Sequence, residues 1–499
     1  MQNHNVLLKA EHFGTDTPSA MPADTLAPLY VDLDGTLIRS DLLLESAMRF
    51  VAAQPLQAWR LAAWLMRGKA HLKAELAAAV NLDVRCLPYN EELLGYLRQQ
   101  RALGRRIVLA TASHQKYAQQ IAEHLGLFDA VIASDGSVNR KGVHKLEAIR
   151  TDAGGRFAYA GNDQVDLDVW READAALVVN ASAGVRRQAN AVTREELHVP
   201  PQKPGVKVWA KAIRLHQWAK NALLLLPALP IAGDLLPSHW ISLLIGFVAF
   251  GLCASSVYLL NDLMDLEADR AHPRKRKRPL ASGAVSLPAG VVLSVGMLAA
   301  AFLLAAVAMP LGFVATLGVY WISTLAYSLY FKRRVLQDVL MLAGLYTLRI
   351  IAGAAAIQVM PSFWIMSFSM FLFLSLACIK RYVELRDAEL SEKVKVVGRG
   401  YGVSDLPFVQ SVGTSAGLVA VLVFAMYVND PTTASHFTRP AALWTICPLV
   451  LLWVSRVWLK ASRMELHDDP VVFAVTDRAS QLIAVLSVVA LAVASGVLF

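Results

Sequence analysis

The sequence predicts a two-part chain: an α/β domain built on a parallel sheet, then an all-α polytopic membrane domain of about nine transmembrane helices. Three observations predict it. Hydrophobic residues make up 56% of the 499 and charged residues only 17%, against roughly a quarter charged in an ordinary soluble chain. The deficit is one-sided: residues 1–205 have a soluble composition, whereas from about 212 long apolar runs alternate with short charged loops. Within the first part, short apolar runs end in carboxylates, hydroxyls or glycine, as strands do when their ends build a site.

The membrane half is justified first by length. A span takes roughly 20 apolar residues. Runs that qualify lie near 213–231, 239–260, 287–306, 309–330, 338–357, 362–379, 409–428, 441–459 and 479–499, the first interrupted by Lys220 and Asn221. Loops 262–286, 331–337, 380–408 and 460–478 together hold 18 Lys and Arg, whereas the alternate loops hold Arg439 alone. Lys and Arg stay on the cytoplasmic side. The expected setting is therefore a bacterial-type inner (cytoplasmic) membrane, with the N-terminal domain cytoplasmic and the C-terminus external.

The same distribution excludes other classes. The net charge of +9 sits in loops between apolar runs, not on a basic face with aromatic platforms, so nucleic-acid binding is not expected. Cys86, Cys253, Cys378 and Cys447 are far apart and show no metal-ligand spacing, which reads as a reducing setting. Residues 1–28 are a polar tail without the apolar core of a signal peptide. Residues 186–208 carry Pro200, Pro201, Pro204 and Gly205 with no hydrophobic period and read as a linker. Domains are thus expected at 29–185 and 209–499.

In the first domain, Leu29-Tyr-Val-Asp-Leu-Asp-Gly-Thr36 is a short strand ending in two carboxylates. Carboxylates at i and i+2 on a strand point the same way, and such a pair can hold Mg²⁺ while one attacks phosphorus and the other handles the leaving-group proton. A second strand, Ile107 to Thr111, ends in a hydroxyl; Arg140-Lys-Gly-Val-His-Lys145 brings lysine into a loop; Phe157 to Asp166 is a third strand followed by an acidic turn. This ordered set, over roughly 28–185, resembles the haloacid dehalogenase superfamily. The resemblance implies a Rossmann-like parallel sheet with a helical cap between the first two motifs. It makes Asp32 the nucleophile and Asp34 the general acid. Thr111 would bond the phosphoryl group, Lys145 (or Lys141) would neutralise it, and Asp166 would support Mg²⁺. One position departs: Asn162 stands where the family usually places Asp, so either Asn162 or Asp163 completes the metal site. A domain that only scaffolds or regulates is the alternative.

In the second domain, Asn261-Asp-Leu-Met-Asp-Leu-Glu-Ala-Asp269 closes the second run, and helical spacing puts Asp262, Asp265 and Asp269 on one face. Three carboxylates there repel, and divalent cations would relieve them. The basic run His272 to Arg278 and then Pro-Leu-Ala-Ser-Gly283 follow. The set resembles the UbiA superfamily of intramembrane transferases over about 206–499. Tyr327 to Lys332 with Asp338 is similar to its second motif, although Leu342 replaces the second Asp many members carry. Arg349 falls mid-span, where charge is functional by default, and its spacing from Asp338 predicts that both face one cavity. Five further stretches, including Ile213 to Asn221, Leu348 to Gly353 and Asp468 to Arg478, are similar to decaprenyl-phosphate phosphoribosyltransferases. That resemblance implies phosphoribosyl pyrophosphate as donor and a polyprenyl phosphate as acceptor. It implies Asp265 and Asp269 as catalytic with Mg²⁺, and Lys220, Asn261, Lys332, Asp338, Arg349, Lys380, Arg381 and Arg478 as substrate contacts. Prenyl transfer to an aromatic acceptor is the other expectation, and oligomeric state is left open. A fused phosphatase favours the first, because a phosphoribosyl lipid retains a phosphate to remove.

Overall fold

The computed structural model describes residues 26–135, 140–392, 399–431, 435, 437–466 and 470–496; nearly all of the expected tail, and part of the stretch from Asp468, lie outside them. The chain forms two compact units, one of residues 1–42, 64–78 and 89–202, the other of 43–63, 79–88 and 203–499.

The first unit is a six-stranded sheet in the order β3-β2-β1-β4-β5-β6, with every pairing parallel. The strands are β1 (Leu29–Val31), β2 (Ile107–His114), β3 (Ala130–Ser134), β4 (Ala158–Gly161), β5 (Ala175–Val179) and β6 (Arg194–Val199). β1 is wholly buried, as a central strand covered on both faces must be. Leu29 pairs with Ile107 on one side and Ala158 on the other. The strand order reverses beside β1, and open parallel sheets bind ligands at the carboxyl ends of strands at such a point. The core on one face gathers Tyr30, Val108, Tyr159, Trp170 and Val178.

β6 corrects the expected linker. Residues 183–192 are helical and 194–199 pair with β5 as the last strand. Its sequence, Arg-Glu-Glu-Leu-His-Val, is polar because it lies at the sheet edge and only Val199 is buried, so it carries no apolar run to read. The stretch between the first two motifs is helical, as expected for a cap. Of it, residues 64–78 and those from 89 onward cluster with the sheet, whereas 43–63 and 79–88 belong to the second unit; the helix Lys69–Ala79 supplies most of 64–78.

Among the described residues, the second unit contains seven helices long and apolar enough to cross a membrane, or eight if the pair Pro470–Thr476 and Arg478–Ala494, bent by 77°, counts as one. About nine were expected, a count roughly in keeping with this. The first expected run, near 213–231, falls on Leu215–Asp234, a 3-10 helix broken at Ile231. Pro227 and Pro230 explain this, since proline removes a backbone donor and clashes with the carbonyl four residues back. The segment packs tightly against the helix Gln337–Ala356: a Cβ on Gly353 would lie 2.0 Å from the Leu224 carbonyl oxygen. Leu224, Phe250, Phe313 and Leu317 share one buried cluster, and Tyr346, Phe373, Ile379 and Trp458 another. The chain is a multi-pass membrane protein.

Candidate active sites

At the carboxyl end of the sheet, Asp32 follows β1 directly. The Lys145 ammonium lies 2.8 Å from Asp32 Oδ1 and 3.6 Å from Asp166 Oδ1, and donates to the Tyr159 hydroxyl at 2.8 Å. Of the two candidate lysines, Lys145 is therefore the one at the nucleophile; it is buried, whereas Lys141 is exposed. Burial works against its charge, but Asp32 and Asp166 outweigh that and hold its pKa above the ordinary lysine value. Burial pushes Asp32 up to about 6, with Lys145 opposing. It pushes Asp34 up to about 7, reinforced by the charge of Asp41.

Asp34 accepts from the Leu42 amide at 2.8 Å and from the Ser113 hydroxyl. Thr111 is fully buried, and its hydroxyl oxygen accepts from the Ser113 amide at 3.0 Å. The turn after the two carboxylates needs its glycine. Gly35 has φ +78°, and a Cβ there would lie 2.2 Å from Asn162 Nδ2. Asn162 is thus pressed against the Asp32-Leu-Asp34-Gly35 turn, with its amide oxygen 3.3 Å from the Thr36 hydroxyl. Asp163 turns away to cap Gln164. Asp166 uses its oxygens on the Tyr159 hydroxyl (2.7 Å) and the amides of Asn162 and Asp163 (2.9 and 3.0 Å), so it fixes the loop that presents Asn162. Between the two open alternatives for the metal ligand, the geometry favours Asn162. Oxygens of Asp32, Asp34 and Asn162 are hard donors suited to Mg²⁺, although no three His, Cys, Asp or Glu side chains gather as a metal site among the described residues.

Lys73 was not anticipated. It lies on Lys69–Ala79, donates to the Ala112 carbonyl at 2.5 Å, and burial lowers its pKa against the pull of Asp34 and Asp41. Its sequence context, an Ala-rich helix, carries no signal.

In the second unit the acidic motif does not lie on one continuous helix. Pro237–Met264 ends at Asp265 (φ −100°, ψ 15°) and a short helix, Leu266–Ala271, begins. Across this break Asp262 and Asp269 share a partner, and Asp265 has another. Arg278 reaches Asp262 at 3.1 Å and Asp269 at 2.6 Å through one nitrogen, and Arg214 also donates to Asp262. Asp265 pairs instead with Lys332, 3.2 Å from each oxygen, and its side chain is 40% exposed. The expected repulsion is thus relieved by Arg214, Arg278 and Lys332. Asp262 and Asp269 converge on one nitrogen of Arg278. The side-chain oxygen of Asn261 is buried without a partner among the described residues. Burial raises the Asp269 pKa, with Arg278 opposing. Arg270 anchors the short helix, donating to the Ala281 carbonyl at 2.9 Å and to both oxygens of Glu45, a member of the same compact unit, at 3.0 and 2.6 Å.

Asp338 and Arg349, expected to face one cavity, have separate partners. Asp338 is fully buried against Arg381 (2.8 Å), accepts from the Tyr327 hydroxyl (2.9 Å), and has Arg399 at 3.8 Å. Arg399 also lies 3.7 Å from Glu384, with which Arg381 pairs too. Arg381 is therefore held by acids of the protein itself. Lys380 precedes it on the same helix. Arg349 donates to Asn221 Oδ1 (3.3 Å), the Leu345 carbonyl (2.7 Å) and the Tyr320 hydroxyl (2.9 Å). Lys220 lies 5.5 Å from the Tyr346 ring centroid. Arg478 opens the last helix and pairs with none of these acids; the neighbouring Asp477 is paired by Arg456. Arg214, Arg278 and Arg399 are the contacts the sequence reading missed, because topology alone demands positive charge in such loops.

Comparison with known proteins matches both units. The UbiA prenyltransferase family model covers residues 224–476, just over half the chain. The chain belongs to the UbiA prenyltransferase family. Residues 29–169 match the haloacid dehalogenase-like hydrolase model, so this UbiA-family transferase carries an N-terminal hydrolase-like domain. An uncharacterised protein, y4nM, of Sinorhizobium fredii is 37% identical over 93% of this chain and 90% of its own. Nodulation protein NoeC of Azorhizobium caulinodans is 35% identical over 54% of this chain and 88% of its own. Decaprenyl-phosphate phosphoribosyltransferase of Mycolicibacterium smegmatis is 35% identical over 45% of this chain and 72% of its own.

Proposed function

We propose that this UbiA-family enzyme transfers a 5-phosphoribosyl group from phosphoribosyl pyrophosphate to a polyprenyl phosphate, and that its N-terminal domain then removes the 5-phosphate. The observation that carries the reading is the pairing, on one chain, of an intramembrane acid–arginine site with a separate carboxylate–lysine site. The similarity to a decaprenyl-phosphate phosphoribosyltransferase supports the choice of donor and acceptor.

In the transfer step a phosphate oxygen of the lipid forms a bond to ribose C1 as the bond from C1 to the diphosphate breaks. Asp262 and Asp269 would hold Mg²⁺, which shields charge on the departing diphosphate. Arg214, Arg278 and Lys332, freed from the carboxylates, are placed to bind the phosphates. Two of these are arginines, whose planar fork suits phosphate oxygens.

In the second step Asp32 attacks the 5-phosphate and the ester oxygen leaves as the lipid-linked ribose alcohol, protonated by Asp34. Water then releases inorganic phosphate from Asp32. Lys145 holds the Asp32 carboxylate in place and balances phosphoryl charge. Mg²⁺ bound through Asp32, Asp34 and Asn162 would add to that neutralisation. The loop charges support a cytoplasmic side for the charged loops of an inner membrane, and for the N-terminal domain as well where Leu215–Asp234 crosses.

Prenyl transfer from a diphosphate to an aromatic acceptor is the second reading, favoured by the family model itself. Purified protein given Mg²⁺, labelled phosphoribosyl pyrophosphate and a polyprenyl phosphate decides between them: label should enter the lipid fraction. Label that stays in the aqueous fraction, with prenylation of an aromatic acid under the same conditions, would overturn the proposal.

A further inference from the structure

Three arginines are buried among the described residues: Arg105, Arg349 and Arg381. Arg105 pairs with Glu196 and Arg381 with Asp338 and Glu384. Arg349 differs from both. It is 3% exposed, sits in the middle of a membrane-spanning helix, and has no carboxylate within ion-pair distance among the described residues. Aromatic rings surround it instead, with Tyr320, Phe250 and Tyr346 centroids at 4.9, 5.5 and 5.7 Å.

A guanidinium always carries its charge, and a buried charge without a counter-ion is costly. Cation–π contacts offset only part of that cost. A second feature points to a missing anion. Asn221 is 1% exposed; its oxygen accepts from Arg349, and its amide nitrogen has no partner among the described residues. Lys220, 5% exposed, places a second buried cation beside the same Tyr346 ring. Lys220, Asn221, Arg349 and Tyr320 thus form a set rich in donors, with no acid on Arg349 among the described residues.

We propose that these four residues form a buried subsite for a phosphate monoester, and that its occupant is the phosphate of the acceptor lipid. The assignment of occupant rests on the phosphoribosyl-transfer reading above. Depth favours it. Phe250, beside Arg349, and Asp262 lie on one helix twelve residues apart, about 18 Å along the axis. The acid–arginine site stands at the end of that helix, where a water-borne donor arrives. The Arg349 subsite lies deeper, among apolar helices, where a lipid phosphate is delivered by its chain. The 5-phosphate of the donor shares the same chemistry and is the other source.

The full chain in lipid nanodiscs tests this with Arg349→Met, Lys220→Gln and Asn221→Leu. Binding is read with a short-chain polyprenyl phosphate, the matching uncharged polyprenol and phosphoribosyl pyrophosphate. Wild-type protein should hold the polyprenyl phosphate at least tenfold more tightly than the polyprenol. Arg349→Met should abolish that preference while donor binding changes by less than twofold. Without ligand, Arg349→Met should melt no lower than wild type, since it removes an uncompensated charge; a structural arginine would lower Tm. Lys220→Gln and Asn221→Leu should erode the preference if Arg349→Met does not fold. A loss confined to the donor overturns the lipid assignment, and an unchanged preference in folded variants overturns the subsite. Because binding is read without turnover, failure of wild-type protein to transfer phosphoribosyl would sink the function reading and leave the subsite result standing.

Discussion

The sheet-end site and the acid–arginine site both gather aspartates, but they neutralise them differently. At the sheet end, Asp32 and Asp34 sit on one turn: Asp32 meets a single lysine, and Asp34 is held by a backbone amide and a hydroxyl. At the helix end, Asp262 and Asp269 meet two arginines whose own positions depend on separate segments. The first site is built by local geometry at a strand terminus. The second is built by tertiary convergence of side chains from separate segments.

Several substitutions would break or sharpen that contrast. The largest effect is expected at Asp32: Asp32→Asn should cut phosphomonoester hydrolysis by about three orders of magnitude or more, since an amide cannot form the acyl phosphate. Transfer should persist, so chromatography of the lipid products should show the phosphorylated ribosyl lipid accumulating. Identical products from wild type and variant would mean the domain acts on something else.

Asp269→Asn should reduce lipid transfer by about 10²–10³-fold and leave hydrolysis of a soluble phosphomonoester intact. Asp265→Asn should cost less, about tenfold, because Asp265 is half-exposed and stands apart from the Arg278 pair. Equal losses in initial-rate assays would restore the single acidic face that the helix break contradicts.

Smaller again is Gly353→Ala. Its Cβ would press on the Leu224 carbonyl, so the two segments must part, at a cost of about 1–3 kcal/mol. Thermal unfolding in detergent should show a lower Tm, and an unchanged Tm would show that Leu215–Asp234 is loosely held. The mildest change should be Asn162→Asp. It puts a carboxylate where the amide oxygen faces Thr36, and should lower the Mg²⁺ concentration needed for half-maximal hydrolysis several-fold. No shift on Mg²⁺ titration would remove Asn162 from the metal site.

The sequence by itself determined the two-part plan, because composition and hydrophobic period act over whole segments: a Leu-Tyr-Val strand buried on both faces and runs of twenty apolar residues have few other solutions. It also determined the Asp32–Asp34 turn, since i and i+2 positions and Gly35 lie next to one another in the chain. Tertiary structure decided what depends on distant partners. Lys145 rather than Lys141 reaches Asp32, by the start of a helix that the loop does not announce. The prolines at 227 and 230 turned an apolar run into a 3-10 segment, and the polar edge strand β6 was hidden because edge strands need no apolar pattern. Of three acids that periodicity had aligned, Asp265 at the break has a partner of its own, and only the folded chain showed that Arg278 joins the other two. It likewise left Arg349 without an acid among the described residues: helical spacing can place a charge on a face, but the neighbouring helices decide what that face meets.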